Sequence, residues 1–241
     1  MIFSNVLLLN AQPRNDIIGK FIGNTKNIYH HLDFQGKGFV KINNEFNGEF
    51  YYENDSLFVF TGTDIAIYKI EKGKLVGLSE WVKKETLKLQ KNLIVNDISF
   101  PEWDQRAIWL KAFYQNNNQL QLKDLVNIDD LENHFKQVNA KNEQLCAEGF
   151  DLACIQNYSF LLMKITTSKD LPNQEELYLQ LKKIATKVID LGNADGYGLL
   201  YSYYVLRDEE EKGIEYLDIG LEKGSQLCLK LSLDKSMNIM E

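Results

Sequence analysis

With 241 residues, 44% of them hydrophobic and 25% charged, the chain has the length and composition of an ordinary globular protein able to bury a sizeable core. A formal net charge of -7 and a pI near 5.2 argue against nucleic-acid binding, which needs clustered Lys and Arg to neutralise phosphates, and suit a basic protein partner better. No apolar run approaches the roughly 18 residues of a membrane-spanning helix, and three cysteines without Cys-x-x-Cys spacing give neither a disulfide framework nor a zinc site.

The chain opens on a short apolar patch, Met-Ile-Phe-Ser-Asn-Val-Leu-Leu-Leu, with no basic segment before it. It does not read as an intact signal peptide. The expectation is therefore a cytoplasmic protein, or a periplasmic one if a signal has been removed. The following third alternates aromatic and β-branched residues with period 2, which predicts strands over 28–34, 38–42, 49–53, 57–61, 65–70 and 75–78. Gln35-Gly36-Lys37, Asn43-Asn44, Asn54-Asp55-Ser56, Gly62-Thr63-Asp64 and Lys72-Gly73 separate them, all residues that close tight turns. An antiparallel meander follows, with Phe46, Phe50, Tyr52, Phe58 and Phe60 as its packing aromatics.

From Ser79 the period changes. Ser79 reads as an N-cap of a helix to about residue 91 that carries Val82, Leu87 and Leu89. A second helix restarts at Ser99-Phe-Pro101 with Trp103, Ala107, Leu110 and Tyr114 at helical spacing, and Asn116-Asn117-Asn118 stops it. A third runs over 129–148 with Leu131, Phe135, Val138 and Leu145 on one side. The expected organisation is α+β: an antiparallel β-sheet domain over 1–79, connecting helices over 80–128, and an all-α helical-hairpin array over 129–241.

That array repeats one phrase: Gly149-Phe-Asp-Leu-Ala153, Gly192-Asn-Ala-Asp-Gly196 and Gly224-Ser-Gln-Leu-Cys228. Each has a glycine, a small residue four positions later, and five positions beyond it a large residue: Tyr158, Tyr201 or Leu233. The glycines stand 43 and then 32 residues apart, the spacing range of stacked helical repeats. Physically, the glycine supplies a left-handed helix cap, the small residue lets the next helix approach closely, and the large one fills the groove. The acidic run Asp208 to Glu211 then opens a helix, where negative charge meets the positive end of the dipole.

The Gly-x-x-x-small phrase, the mid-helix Tyr, and Lys212-Gly-Ile-Glu-Tyr216-Leu-Asp-Ile-Gly220-Leu-Glu-Lys-Gly224 resemble the Sel1-like repeat, a tetratricopeptide-related family. The resemblance covers about residues 129–241 and leaves the β domain outside. It implies an α/α solenoid that binds other proteins. In secreted, cysteine-rich members a disulfide ties the end of one B helix to the next A helix across seven intervening residues. Cys146 and Cys154 have that spacing, so the resemblance implies a possible disulfide; two small buried thiols are the alternative reading. Cys228 stands in the small-residue position and reads as packing.

No nucleophile elbow, Walker loop or dinucleotide fingerprint is present, and His30, His31 and His134 lack ligand or catalytic spacing. Trp81, Trp103 and Trp109 read as core or interface anchors. Neither cofactor nor metal is expected. What the array offers is a surface, since A helices line the concave face of such solenoids. Gln156, Phe160 and Lys164, then Leu199, Tyr203 and Arg207, then Leu231 and Lys235, form columns spaced by four that fall off the packed positions. They are the candidate partner-binding residues; packing of the same residues on the β domain is the alternative.

The sequence therefore points to a non-catalytic protein-binding module. Its most economical version is a bacterial toxin-neutralising, immunity-type protein with one dedicated partner, a cognate toxin or effector. Small size, the acidic surface, the short array and an Asn/Lys-rich composition with three prolines, as in an AT-rich bacterial source, motivate it; Sel1-like arrays are also similar to some known immunity proteins. The alternatives are a Sel1-like adaptor of a signalling or envelope assembly, and an enzyme with a site around His30, His31 and Asp33 in the β domain.

Overall fold

The computed structural model describes residues 17–61, 65–90, 94–95, 101–118, 128–167 and 173–238. The protein is α+β, and its chain divides into two units, Met1–Tyr114 and Gln115–Glu241. The initial apolar patch and the side chains of Trp103, Leu131, His134 and Phe135 lie outside the described residues.

The first unit is built on β1 (Ile17–Ile22), β2 (His31–Gly36), β3 (Phe39–Ile42), β4 (Phe46–Glu53), β5 (Ser56–Phe60), β6 (Ile65–Glu71), β7 (Lys74–Gly77) and β8 (Thr86–Leu89). Each strand pairs antiparallel with the next, and β1 pairs with both β2 and β8, so the meander closes into an eight-stranded barrel. The short β9 (Ile94–Val95) pairs with the start of β1. Alternation puts Phe21, Leu32, Phe34, Val40, Phe50, Leu57 and Val59 inside, all fully buried or nearly so. Phe34 meets Phe21 and Phe50 edge-on, with ring centroids 5.9 and 4.9 Å away. Each such side chain contributes about 1.5–3 kcal/mol of burial.

The turns follow the expected chemistry. Asn54-Asp55 and Lys72-Gly73 all have positive φ, the backbone that matches the right-handed twist of hairpin strands. Phe46 is an exception to the expected packing set: it sits at a strand end and is exposed, whereas Phe58 and Phe60 lie on the outer face.

The helix expected from Ser79 to about residue 91 does not form. A single 3-10 turn, Glu80–Val82, is followed by β8. Thr86-Leu87-Lys88-Leu89 alternates with period 2, and pairing with both β7 and β1 closes the barrel, which outweighs a local helix start. Ser79 Oγ accepts from Ile67 N at 3.0 Å and from Trp81 Nε1 at 2.8 Å instead of capping a helix. Val82 enters the core, and the turn folds so close over Gly77 that a Cβ there would lie 1.8 Å from Val82 O. Trp81 is exposed, not a core anchor. The buried Glu85 accepts from Ile28 N at 2.6 Å and from the Tyr68 hydroxyl at 3.1 Å, so its charge is not left unpartnered.

Helix α1 (Pro101–Asn118) reaches β4 and β5 through side-chain contacts. Arg106 forks onto Glu49, Lys111 bonds Glu53 at 2.5 Å, and Tyr114 reaches Phe58, which stacks on Tyr51 at 4.4 Å.

The second unit comprises α2 (Ile128–Ala147), α3 (Asp151–Thr167), α4 (Gln174–Asp190), α5 (Asp195–Leu206), α6 (Glu210–Glu222) and α7 (Gln226–Asn238), each packed on its neighbours as successive hairpins. At its start the fully buried Asn142 accepts from Asn116 Nδ2 at 3.0 Å and donates to Asn117 Oδ1 at 3.3 Å.

Candidate functional site

The three glycines are helix stops of one geometry. Gly149, Gly192 and Gly224 have φ of 106°, 84° and 77°, a region that side chains other than glycine resist. At each, the glycine N–H and the next N–H bond back to carbonyls three and five residues earlier, as in Gly192 N to Ile189 O at 2.8 Å and Asn193 N to Val188 O at 3.1 Å. The small residues then permit close helix contact. A Cβ on Gly196 would lie 2.8 Å from Ala185 O, and one on Gly220 would lie 2.2 Å from Cys228 Sγ. Tyr158 is buried in the groove and its hydroxyl donates to Leu199 O at 2.7 Å. Leu233, the third large residue, is exposed because no described helix follows to make a groove for it.

The second and third joints also carry a polar bracket. Asn193 Nδ2 donates to Asp151 Oδ2 at 2.7 Å, and one repeat later Ser225 Oγ donates to Asp195 Oδ1 at 2.7 Å. Cys146 and Cys154 are joined by a disulfide that ties the last turn of α2 to the first turn of α3, with a Cα separation of 4.7 Å. Cys228 is buried and free.

The expected binding columns separate into surface and core. Leu199 is buried at 4% exposure and holds Tyr158 through its carbonyl, and Leu231 packs against Tyr201, Leu217 and Cys228. Both are packing residues: Leu199 lies where α5 meets its neighbouring helices, and Leu231 where α7 packs against α5 and α6. Gln156, Phe160 and Tyr203 are half-buried, and Lys164 is exposed. Arg207 and Lys235 turn back onto B helices: Arg207 pairs with Glu175 and lies 4.8 Å over the Tyr178 ring, while Lys235 bonds Glu210 at 2.8 Å.

Tyr203 and Arg207 thereby join a cluster that no sequence column contained. Helix α4 supplies Tyr178 and Lys182, α5 supplies Tyr203, Tyr204 and Arg207, and α6 supplies Lys212 and Tyr216. Tyr204 stacks on Tyr216 at 5.3 Å with planes 9° apart and meets Tyr203 edge-on at 4.9 Å. Lys182 lies 5.7 Å and Lys212 4.6 Å from the Tyr204 ring centroid. Burial pushes the Tyr204 phenol up, but Lys182, Tyr216 and Lys212 around its oxygen pull it down further, so it ionises below the ordinary tyrosine value; burial and Tyr204 raise Tyr216. The signal for this cluster was the i, i+4 pairs Tyr178/Lys182 and Lys212/Tyr216 on successive B helices, which a search confined to A helices passes over.

In the barrel, His31 and Asp33 are two residues apart on β2. His31 is 2% exposed, and neither ring nitrogen has a hydrogen-bond partner. Burial, then the Lys20 charge, lowers its pKa, so the ring is held neutral. Among the described residues no group of three or more His, Cys, Asp or Glu is placed to hold a metal ion, and no helix is long and apolar enough to cross a membrane. No protein-family model, curated protein or solved structure matches the chain.

Proposed function

We propose that the chain is a non-catalytic protein-binding module of the toxin-neutralising, immunity type, holding one dedicated partner on its helical-hairpin array. The observation that carries this reading is the cluster on α4, α5 and α6: the half-buried Tyr178, Tyr203 and Tyr216, with Lys182, Arg207 and Lys212, around the buried Tyr204. Rigid aromatics beside bases are the composition enriched in binding hot spots, because they bury much area for little side-chain entropy. Beside it an open groove of about 620 Å³ is lined by Asp208, Glu209, Glu210, Glu211, Lys212 and Glu215, which with the net charge of -7 favours a basic rim on the partner. The resemblance to Sel1-like arrays supports the same reading on the sequence phrase alone. The Cys146–Cys154 disulfide supports residence in an oxidising compartment such as a periplasm.

The test is co-expression with the products of neighbouring genes in the native genome. One neighbour is expected to be toxic alone, harmless with this chain, and recovered with it as a purified binary complex. Tyr203→Ala and Phe160→Ala are expected to weaken that complex at least tenfold. Equal affinity of both variants removes this surface from the reading, and neighbours that bind without any toxicity turn it towards an adaptor.

A further inference from the structure

Lys182 stands out in the tyrosine cluster. Its ammonium lies 6.0 Å from the Tyr203 centroid and 5.7 Å from that of Tyr204, and among the described residues it has no carboxylate within ion-pair distance. Lys212 approaches the same Tyr204 ring from α6, and its one carboxylate, Glu209, is exposed and 3.7 Å away. Two ammonium groups from different helices thus approach one buried ring. Like charges so placed repel, and the tyrosine faces offset only part of that.

We propose that Lys182 and Lys212, roofing Tyr204 between α4 and α6, form a binding site for a small oxyanion, a phosphate or a carboxylate. The two lysines supply the charge-assisted donors, and the half-buried Tyr203 and Tyr216 flank the position with further hydroxyls. The acidified Tyr204 phenol supports the same picture, since the site already favours negative charge on oxygen. The open groove beside Lys212 is lined by Asp208, Glu209, Glu210, Glu211 and Glu215, so selection is for a compact anion held by the two lysines and not for an extended acidic segment. This site shares Lys182, Lys212, Tyr203, Tyr204 and Tyr216 with the surface of the protein-binding reading, but anion binding does not need that reading to hold.

The experiment titrates the full chain at low ionic strength with inorganic phosphate and, separately, acetate, each against sodium chloride of matched ionic strength, by calorimetry. Saturable binding of at least one anion is expected, the tighter of the two naming the source. Lys182→Met is expected to weaken it at least tenfold, whereas Lys230→Met, an exposed lysine on α7, leaves it unchanged. No binding above chloride, or binding undiminished in Lys182→Met, overturns the proposal. Should Lys182→Met not fold, alkaline titration of the intact chain near 295 nm decides: bound phosphate neutralises the lysines and is expected to raise the lowest tyrosine midpoint, and an unmoved midpoint overturns the site.

Discussion

The Asn193 carboxamide donates to the Asp151 carboxylate at 2.7 Å, joining the start of one A helix to the glycine joint of the next repeat. Ser225 does the same for Asp195, whose second acceptance is Leu227 N at 3.1 Å. The array is therefore stapled by a carboxylate at these two joints, not by apolar contact alone. Asp195→Ala strands two donors and is expected to lower stability by about 1–3 kcal/mol, read as a lower urea midpoint. Asp151→Ala strands the Asn193 donor and is expected to lower stability in the same range. Equal, negligible effects would mean the brackets are incidental.

Gly220 sits where Cys228 presses against α6. A methyl group there meets Cys228 Sγ at 2.2 Å, so Gly220→Ala is expected to destabilise by about 1–3 kcal/mol despite alanine's better helix propensity. Cys228→Ala removes the clashing sulfur but leaves Tyr197 Cβ at 3.0 Å, so the double variant should recover part of the loss. Additive losses in the double-mutant cycle would contradict this contact.

His31 makes the barrel sensitive to acid. Its folded pKa lies below the ordinary 6.5, so in the window under 6.5 the unfolded chain binds more protons than the folded one. Its contribution is present in full above 6.5 and is lost as pH falls through the folded value, at up to about 1.4 kcal/mol per pH unit. His31→Leu is expected to flatten the dependence of the unfolding free energy between pH 7.5 and 5.5, within which the parent should weaken. Parallel slopes for both proteins would rule His31 out as the cause.

The disulfide closes a short loop around Gly149. Under denaturing, non-reducing conditions one thiol, that of Cys228, is expected to react with iodoacetamide, and three after reduction. By the loop-entropy relation, reduction should remove about 2–3 kcal/mol of stability, seen as a lower urea midpoint that a Cys146→Ser/Cys154→Ser variant reproduces without reductant.

Local chemistry fixed much of the architecture in advance. Asn54-Asp55 and Lys72-Gly73 need positive φ and so mark hairpins; Gly149, Gly192 and Gly224 need it too and so mark helix ends, and the helices begin and end within a residue or two of where those signals put them. What sequence could not decide was anything that depends on a distant partner. Ser79 to Leu89 carries a plausible helix start, and it becomes a turn and a strand because β1, some 60 residues earlier, offers an edge that β8 must close. β1 itself, Ile17 to Ile22, alternates, yet only pairing on both sides makes its closing role visible. The repeat phase likewise placed Leu199 on a surface that packing buries, and left out Lys182 and Tyr216, whose meeting around Tyr204 requires three helices at once. Backbone preferences of single residues are written locally; which side chains share a site is set by packing between segments far apart in the chain.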